Sequence, residues 1–268
     1  FLPLWLLAAG VVAGLAGLIV APLATRLRGL YLAIVTLGLV FLGEHLFRDF
    51  SRITGGPGVG RRGPIPELFG FEFGIDGTVL GIPVTREQRL YLLMLVMLII
   101  FATLGRNLAR SSVGRAFSAI RDRDIAAEVI GVELTKYKLL AFTISSFYAG
   151  VSGALVWTVI GFIEPTSFNL LLSVKYIAMI LIGGAATISG SIMGAVFIEG
   201  LGRMTRVFAA QLPFISSSPS GSGLLNVFQL EAILYGALII GFLIFEPRGL
   251  FGIWFRIRNY WKGWPFSY

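Results

Sequence analysis

No cysteine occurs in these 268 residues, and His45 is the single histidine. The first absence excludes a disulfide framework and any thiolate metal site. Together the two exclude a histidine-rich zinc centre, and a Ser–His dyad would have to use His45 at a membrane edge. No Gly-x-Ser-x-Gly elbow accompanies it, so the chain lacks the constellation of a membrane enzyme. Charge is scarce as well: 13% of residues are charged, against about 25% in a soluble domain that must cover its surface. A Walker A loop needs a Gly-Lys-Ser/Thr step, and Lys136, Lys138, Lys175 and Lys262 all lack it.

What fills the space is apolar. Hydrophobic residues make up 56% of the chain, mean hydropathy is +0.84 and there are 34 glycines, a composition that predicts an all-α polytopic membrane protein. About 20 apolar residues cross a hydrocarbon core as helix. Seven spans are predicted, at Leu4–Leu23, Gly29–Phe47, Arg89–Gly105, Leu139–Phe162, Leu170–Thr187, Ser191–Arg206 and Gln229–Phe245, within a single transmembrane domain. The fifth and sixth form a hairpin, and either can be a half-span. The net charge of +8 lies in the flanking segments rather than on a soluble face, which argues against nucleic acid as a partner. Arg26 and Arg28, the block Arg106–Lys138 and the tail after Phe245 fall on one side and hold most of the basic residues. Positive charge marks the cytoplasmic side, so these segments are predicted there and the loop 48–88 outside. Phe1 then falls outside at the very edge of a span, which predicts N-terminal sequence with at least one further helix before it.

The outside segment is turn-rich, with Thr54-Gly55-Gly56-Pro57-Gly58-Val59-Gly60 followed by Gly63-Pro64-Ile65-Pro66. The alternation Phe69 to Asp76 predicts a short β-hairpin. Charges inside spans invite scrutiny, because each costs about 2.5–3.5 kcal/mol at a helix centre. Glu44 precedes Arg48 by four residues, His45 precedes Asp49 and Glu199 precedes Arg203, a spacing that pairs them along one helix face. The alternative for Glu44 and His45 is a proton or ion relay. Along the fourth span Ser145, Ala149 and Gly153, and beside them Ser146, Gly150 and Ala154, recur at four-residue intervals. Such faces admit close helix packing, while Thr143, Ser145 and Ser146 can also present hydroxyls to a solute.

The block Arg106–Lys138 holds seven basic and four acidic residues between two apolar runs. Ser112 or a neighbour can cap one helix, and Asp122 or Asp124 a second. On the second, Ile125 and Val129 share a face, as do Ala126 and Ile130, and Gly131 suits its C-terminal turn. At fewer than about 12 residues such a helix is marginal alone, so its order must come from packing. It is either a solvated connector or a surface for a soluble partner, with Ala126 and Ala127 as the point of close approach.

The block resembles the loop of ABC importer permeases that reads Glu-Ala-Ala-x-x-x-Gly, in Ala126-Ala127-x-x-x-Gly131, with Ile125 where that loop carries Glu. Longer stretches are similar to the LivM-type permease of branched-chain amino acid ABC importers. They are Arg28 to Leu37, Thr54 to Pro57, Gly114 to Arg121, Lys138 to Phe142, Pro165 to Phe168, Gly183 to Gly190 and Glu246 to Leu250. Phe69 to Gln88 has no counterpart in that likeness. The resemblance implies the helical transmembrane domain of an ABC importer in the bacterial cytoplasmic membrane. It also implies a LivH-type second permease, two ATP-binding subunits that hold ATP and magnesium, and an extracytoplasmic solute-binding protein, in surrounding lipid. No cofactor or metal is expected in this chain. Arg121, Asp124, Ile125, Ala126, Ala127, Glu128, Val129, Ile130 and Gly131 are the implied ATPase contact. Thr36, Thr54, Gly55, Gly56, Ser145 and Ser146 are the candidates for the pathway. An ion-coupled secondary transporter, or a permease of the same family for urea or amides, is the alternative.

Overall fold

The computed structural model describes residues 1–27, 29–56, 58–63, 66–68, 71–79, 82–209, 215–216 and 225–263. Arg28 of the first resemblance stretch and Pro57 of the glycine run lie outside the described residues. So do Pro64, Ile65, Phe69, Gly70 and the last five residues of the tail. The chain is helical nearly throughout and divides into two compact units, residues 1–169 and 170–268.

In the first unit, α1 (Leu2–Arg26) lies along α7 (Leu134–Ile160). Their seam is built of small residues. A Cβ added to Gly10 would sit 2.6 Å from the Phe147 ring, and one added to Gly150 would sit 2.6 Å from the Ala9 carbonyl. At Gly17 it would collide with the Ser146 side chain. Lipid tails supply no hydrophobic drive between helices, so close backbone approach and dispersion contacts must hold this pair. Ser146 and Gly150 therefore serve packing. On the parallel stripe Ser145 and Ala149 are exposed, and a Cβ on Gly153 would meet nothing within 4 Å. α4 (Arg86–Arg110) joins through Leu93 and through Phe101, whose ring meets Tyr148 edge-on at 5.2 Å. Thr85 and Gln88 close a reciprocal capping box at its start.

α2 (Leu30–Asp49) and the one-turn α3 (Ser51–Thr54) lead into the loop. Short strands β1 (Arg61–Arg62), β2 (Glu67–Leu68), β3 (Phe71–Glu72), β4 (Gly77–Val79) and β5 (Ile82–Val84) follow. β2 pairs with β3 and β4 with β5, both antiparallel, so the hairpin expected from the alternation is present. Between α4 and α7 come α5 (Ser112–Asp122) and α6 (Asp124–Val129). After α7, β6 (Phe162–Ile163) pairs with β1, and a 3₁₀ turn spans Pro165–Ser167.

The second unit is a hairpin of α8 (Leu170–Gly183) and α9 (Ile188–Ala209) joined by α10 (Val227–Phe245) and α11 (Gly249–Gly263). A two-residue parallel pairing links β7 (Ile215–Ser216) to β8 (Leu225–Asn226). Ala178, Met179, Ile182, Ile198 and Tyr235 form its core. The two glycine-bearing turns meet: a Cβ on Gly184 would lie 2.8 Å from the Arg248 carbonyl, and one on Gly249 2.6 Å from that of Ile182.

Among the described residues four helices are long and apolar enough to cross a membrane: Leu2–Leu23, Arg86–Arg110, Leu134–Ile160 and Pro165–Gly183. The pair Gln229–Phe245 and Gly249–Trp261, bent by 45°, can make a fifth. α2 and α9 occupy the remaining two predicted segments. Gly194 sits directly on the Met179 carbonyl. We expect Gly194→Val to destabilise the α8/α9 hairpin by about 1–3 kcal/mol, as overpacking does. Gly200→Ala, facing open space, should change little. Thermal midpoints of the purified protein in detergent check the contrast.

Candidate functional site

The segment between α4 and α7 is folded tightly despite its charge. Ser111, rather than Ser112, caps α5 by accepting the Gly114 amide at 3.3 Å. Phe117 of α5 meets Tyr137 of α7 edge-on at 6.3 Å. α6 is only six residues long; its N-cap is Arg123, without a side-chain capping bond, rather than Asp122 or Asp124, and it is its C-terminal end that is held. Asp124 Oδ1 accepts the Ile125 amide at 2.9 Å. Gly131, at φ +90°, lets the chain reverse, so that its own amide reaches Glu128 O at 3.0 Å and the Val132 amide reaches Ala127 O at 2.9 Å. Those two bonds form a complete Schellman motif, and a side chain at Gly131 would be strained there.

This closure decides which residues face outward. Ala127 is 1% exposed, whereas Ile125, Val129 and Ile130 are 70%, 83% and 75% exposed. The two alanines are thus not one patch: Ala127 packs against its own chain, while Ala126 and Glu128 are open. The reason is the turn itself, which draws the Ala127 carbonyl inward onto Val132. Arg121 is exposed and paired with Asp122 at 3.0 Å. The outward side is therefore an apolar knob of three large side chains ringed by charge.

At the other end of α7 a cleft of about 400 Å³ opens under the loop. Gly150, Gly153, Ala154 and Trp157 of α7 line it together with Ile53, Thr54, Ile163 and Phe168. Nearly every lining side chain is apolar. Arg61 also lines it, but its guanidinium is spent on the Ile53 carbonyl at 3.0 Å and on that of Arg52. The loop is stitched to the end of α7 by Trp157 Nε1 donating to Arg61 O at 3.1 Å and by the Gly63 amide donating to Gly161 O at 2.8 Å. The Glu164 carboxylate accepts the Gly58 amide at 3.0 Å. The Thr166 hydroxyl and that amide hold it below the usual carboxylate range. Trp157 and Glu164 are contributors that spacing alone does not reveal; Glu164 directly precedes the Pro165-Thr166-Ser167-Phe168 stretch that carries part of the resemblance.

Of the pathway candidates, Thr54 lines the cleft, with its hydroxyl donating to the Phe47 carbonyl at 2.7 Å. Gly55 and Gly56 form the turn beside it, where a Cβ on Gly55 would strike the Gly60 carbonyl. Ser145 and Ser146 lie further down α7 and do not line it. Neither does Thr36 of α2. Glu44 pairs with Arg48 at 2.6 Å and His45 with Asp49 at 3.4 Å, as their spacing predicts. Glu199 does not pair with Arg203; it reaches across to Lys175 of α8 at 2.6 Å. Arg206 reaches Glu231 of α10 at 3.1 Å. A neighbouring helix offers a partner closer than the next turn does. Among the described residues no group of three potential metal ligands gathers.

Residues 1–243 match the family model described as branched-chain amino acid transport system / permease component. The chain is 32% identical to the high-affinity branched-chain amino acid transport system permease protein LivM of Salmonella typhimurium, over 90% of the chain and 55% of that protein. It is 32% identical to the autoinducer 2 import system permease protein LsrC of Klebsiella pneumoniae, over 50% of the chain and 40% of that protein. With the ribose import permease protein RbsC of Haemophilus influenzae it shares 27% identity, over 46% and 37%. The chain spans about half the length of the LivM proteins it matches. No solved structure matches. With its apolar helices and these relatives it is a multi-pass protein of the bacterial inner membrane, and it belongs to the family of branched-chain amino acid transport system permease components.

Proposed function

We propose that this chain is a permease subunit of an ATP-driven importer, forming part of the passage for branched-chain or other hydrophobic amino acids. The observation that carries this reading is the knob on α6. Burying a large aliphatic side chain is worth about 1.5–3 kcal/mol. Three such side chains, held in water by a helix locked at its C-terminal end, describe a surface awaiting a partner. The knob sits among basic residues on the side predicted to be cytoplasmic. ATP-binding subunits lie on that side in an importer.

The architecture supports a route for the work. α7 begins three residues beyond Gly131 and runs 27 residues, about 40 Å of helix, to the cleft under the loop. A displacement imposed on α6 is passed along α7, which cannot slide freely because its seam with α1 is a close-packed set of small residues. In this reading two ATP-binding subunits, carrying ATP and magnesium, draw together and pull the knobs of this chain and of a LivH-type second permease. The passage then alternates between facing a solute-binding protein outside and facing the cytoplasm. Thr54, Gly55 and Gly56 belong to the outer part of this passage; Thr36 and Ser145 belong to its course through the membrane, while Ser146 is taken up by the seam with α1. The mostly apolar cleft suits an aliphatic side chain.

Substitution at Ala127 tests the knob poorly, because an arginine there would first disrupt the chain's own packing. Ile125→Asp and Val129→Asp alter only the outward side. Each is expected to lower ATPase stimulation and uptake by about tenfold or more, the scale of an interface hot spot, with the amount in the membrane unchanged. Normal uptake in both variants would refute the reading. A second measurement separates it from ion-coupled transport. Proteoliposomes holding this chain alone should show no uptake under a proton or sodium gradient, and adding the ATP-binding subunits, second permease and binding protein should confer ATP-dependent leucine uptake.

A further inference from the structure

Charged side chains form a stripe along α9 of the second unit, and the function proposed above does not use them. Glu199, Arg203 and Arg206 recur at spacings of four and three on one helix face. Lys175 of α8 takes Glu199 Oε1 at 2.6 Å, and Glu231 of α10 takes Arg206 at 3.1 Å. In each pair one member is shielded and the other open: the Glu199 and Arg206 side chains are 55% and 59% exposed, those of Lys175 and Glu231 22% and 11%. Arg203 lies between the two pairs, exposed, and makes no ion pair or side-chain hydrogen bond among the described residues. On the same rung, the hydroxyl of Tyr235 is buried without a hydrogen-bond partner among them. A Cβ on Gly202 would lie 3.0 Å from that oxygen and 3.7 Å from Glu231 Oε1.

Lipid is a poor neighbour for this face wherever it meets hydrocarbon, because open charges there are stable only against water, protein or an ionic ligand. The open charges also alternate in sign. Glu199 has its second carboxylate oxygen uncommitted among the described residues, and the Arg203 guanidinium stands one turn away, about 6 Å along the axis. A free amino acid carries an ammonium and a carboxylate on one carbon, both of which lose water when it enters a membrane passage. We propose that Glu199 receives the ammonium and Arg203 the carboxylate of a zwitterionic amino acid as it passes α9. The Lys175 ammonium takes one oxygen of Glu199 and leaves the other outward. Glu231 anchors Arg206, which offers the next cationic stop. The inference rests on the permease reading and identifies the solute by its backbone charges rather than by its side chain.

Gly200 provides the probe, since a Cβ there meets nothing within 4 Å and the chain has no cysteine of its own. Gly200→Cys is assembled with the partner subunits and exposed on both sides to a charged, membrane-impermeant thiol reagent. We expect labelling of this chain, which the parent chain without cysteine does not show, slowed roughly threefold or more by saturating L-leucine. Protection should vanish when Arg203→Met is added, with the amount of assembled protein in the membrane unchanged. Absence of labelling would mean that lipid or another subunit covers the face. Labelling that leucine does not slow, or protection that survives Arg203→Met, would equally overturn the inference while leaving the permease reading intact. If the parent assembly shows no ATP-driven leucine uptake, both fall.

Discussion

The close contact of α1 with α7 is the constraint on which the first unit depends. Gly10, Gly17 and Gly150 let the two backbones come together where any larger residue would collide. In lipid no hydrophobic effect would otherwise press them into register. Once α7 is fixed, both of its ends are fixed. One end carries the Schellman turn at Gly131 and the exposed face of α6. The other carries Trp157 and Gly161, to which the loop is hydrogen-bonded. A single helix thus runs from the exposed face of α6 to the cleft, a geometry that suits the transmission of a pull in the function proposed above.

The second unit uses a different currency. Its turns are close-packed at Gly183, Gly184 and Gly249, yet its helices are also joined by ion pairs, Lys175 with Glu199 and Arg206 with Glu231. Such pairs are costly to desolvate and add little net stability against apolar replacements. Their presence in otherwise apolar helices fits the charged solute proposed above to pass beside them. The pairs Glu44–Arg48 and His45–Asp49 differ, since each is a local neutralisation along α2 alone.

Much of this was legible in the sequence because it is written in local chemistry. Gly131 marks the end of α6, the alternation before Asp76 marks a hairpin, and acid-to-base spacing on α2 marks its two pairs. What escaped depends on neighbours distant in the chain. The inward turn of Ala127 follows from a carbonyl bonded to Val132, and on a six-residue helix either alanine could have faced out. Glu199 was predicted to meet Arg203 by the same rule that holds on α2. It fails there because α8 brings Lys175 within reach. Helix periodicity locates a face and leaves open what that face meets. Of the pathway candidates, Thr54 reached the cleft because the loop folds over the end of α7, where β1 pairs with β6 and Arg62 faces Phe162, 100 residues further along the chain.

The central claim is that the α6 knob faces the cytoplasm and is covered there by an ATP-binding subunit. A single cysteine at Val129, in a chain that otherwise has none, reports on it directly. With this chain alone in inside-out membrane vesicles, the account predicts rapid labelling by an impermeant thiol reagent, and strong protection once the ATP-binding subunits are bound. Labelling that occurs only in right-side-out vesicles, or that is unaffected by those subunits, would contradict it.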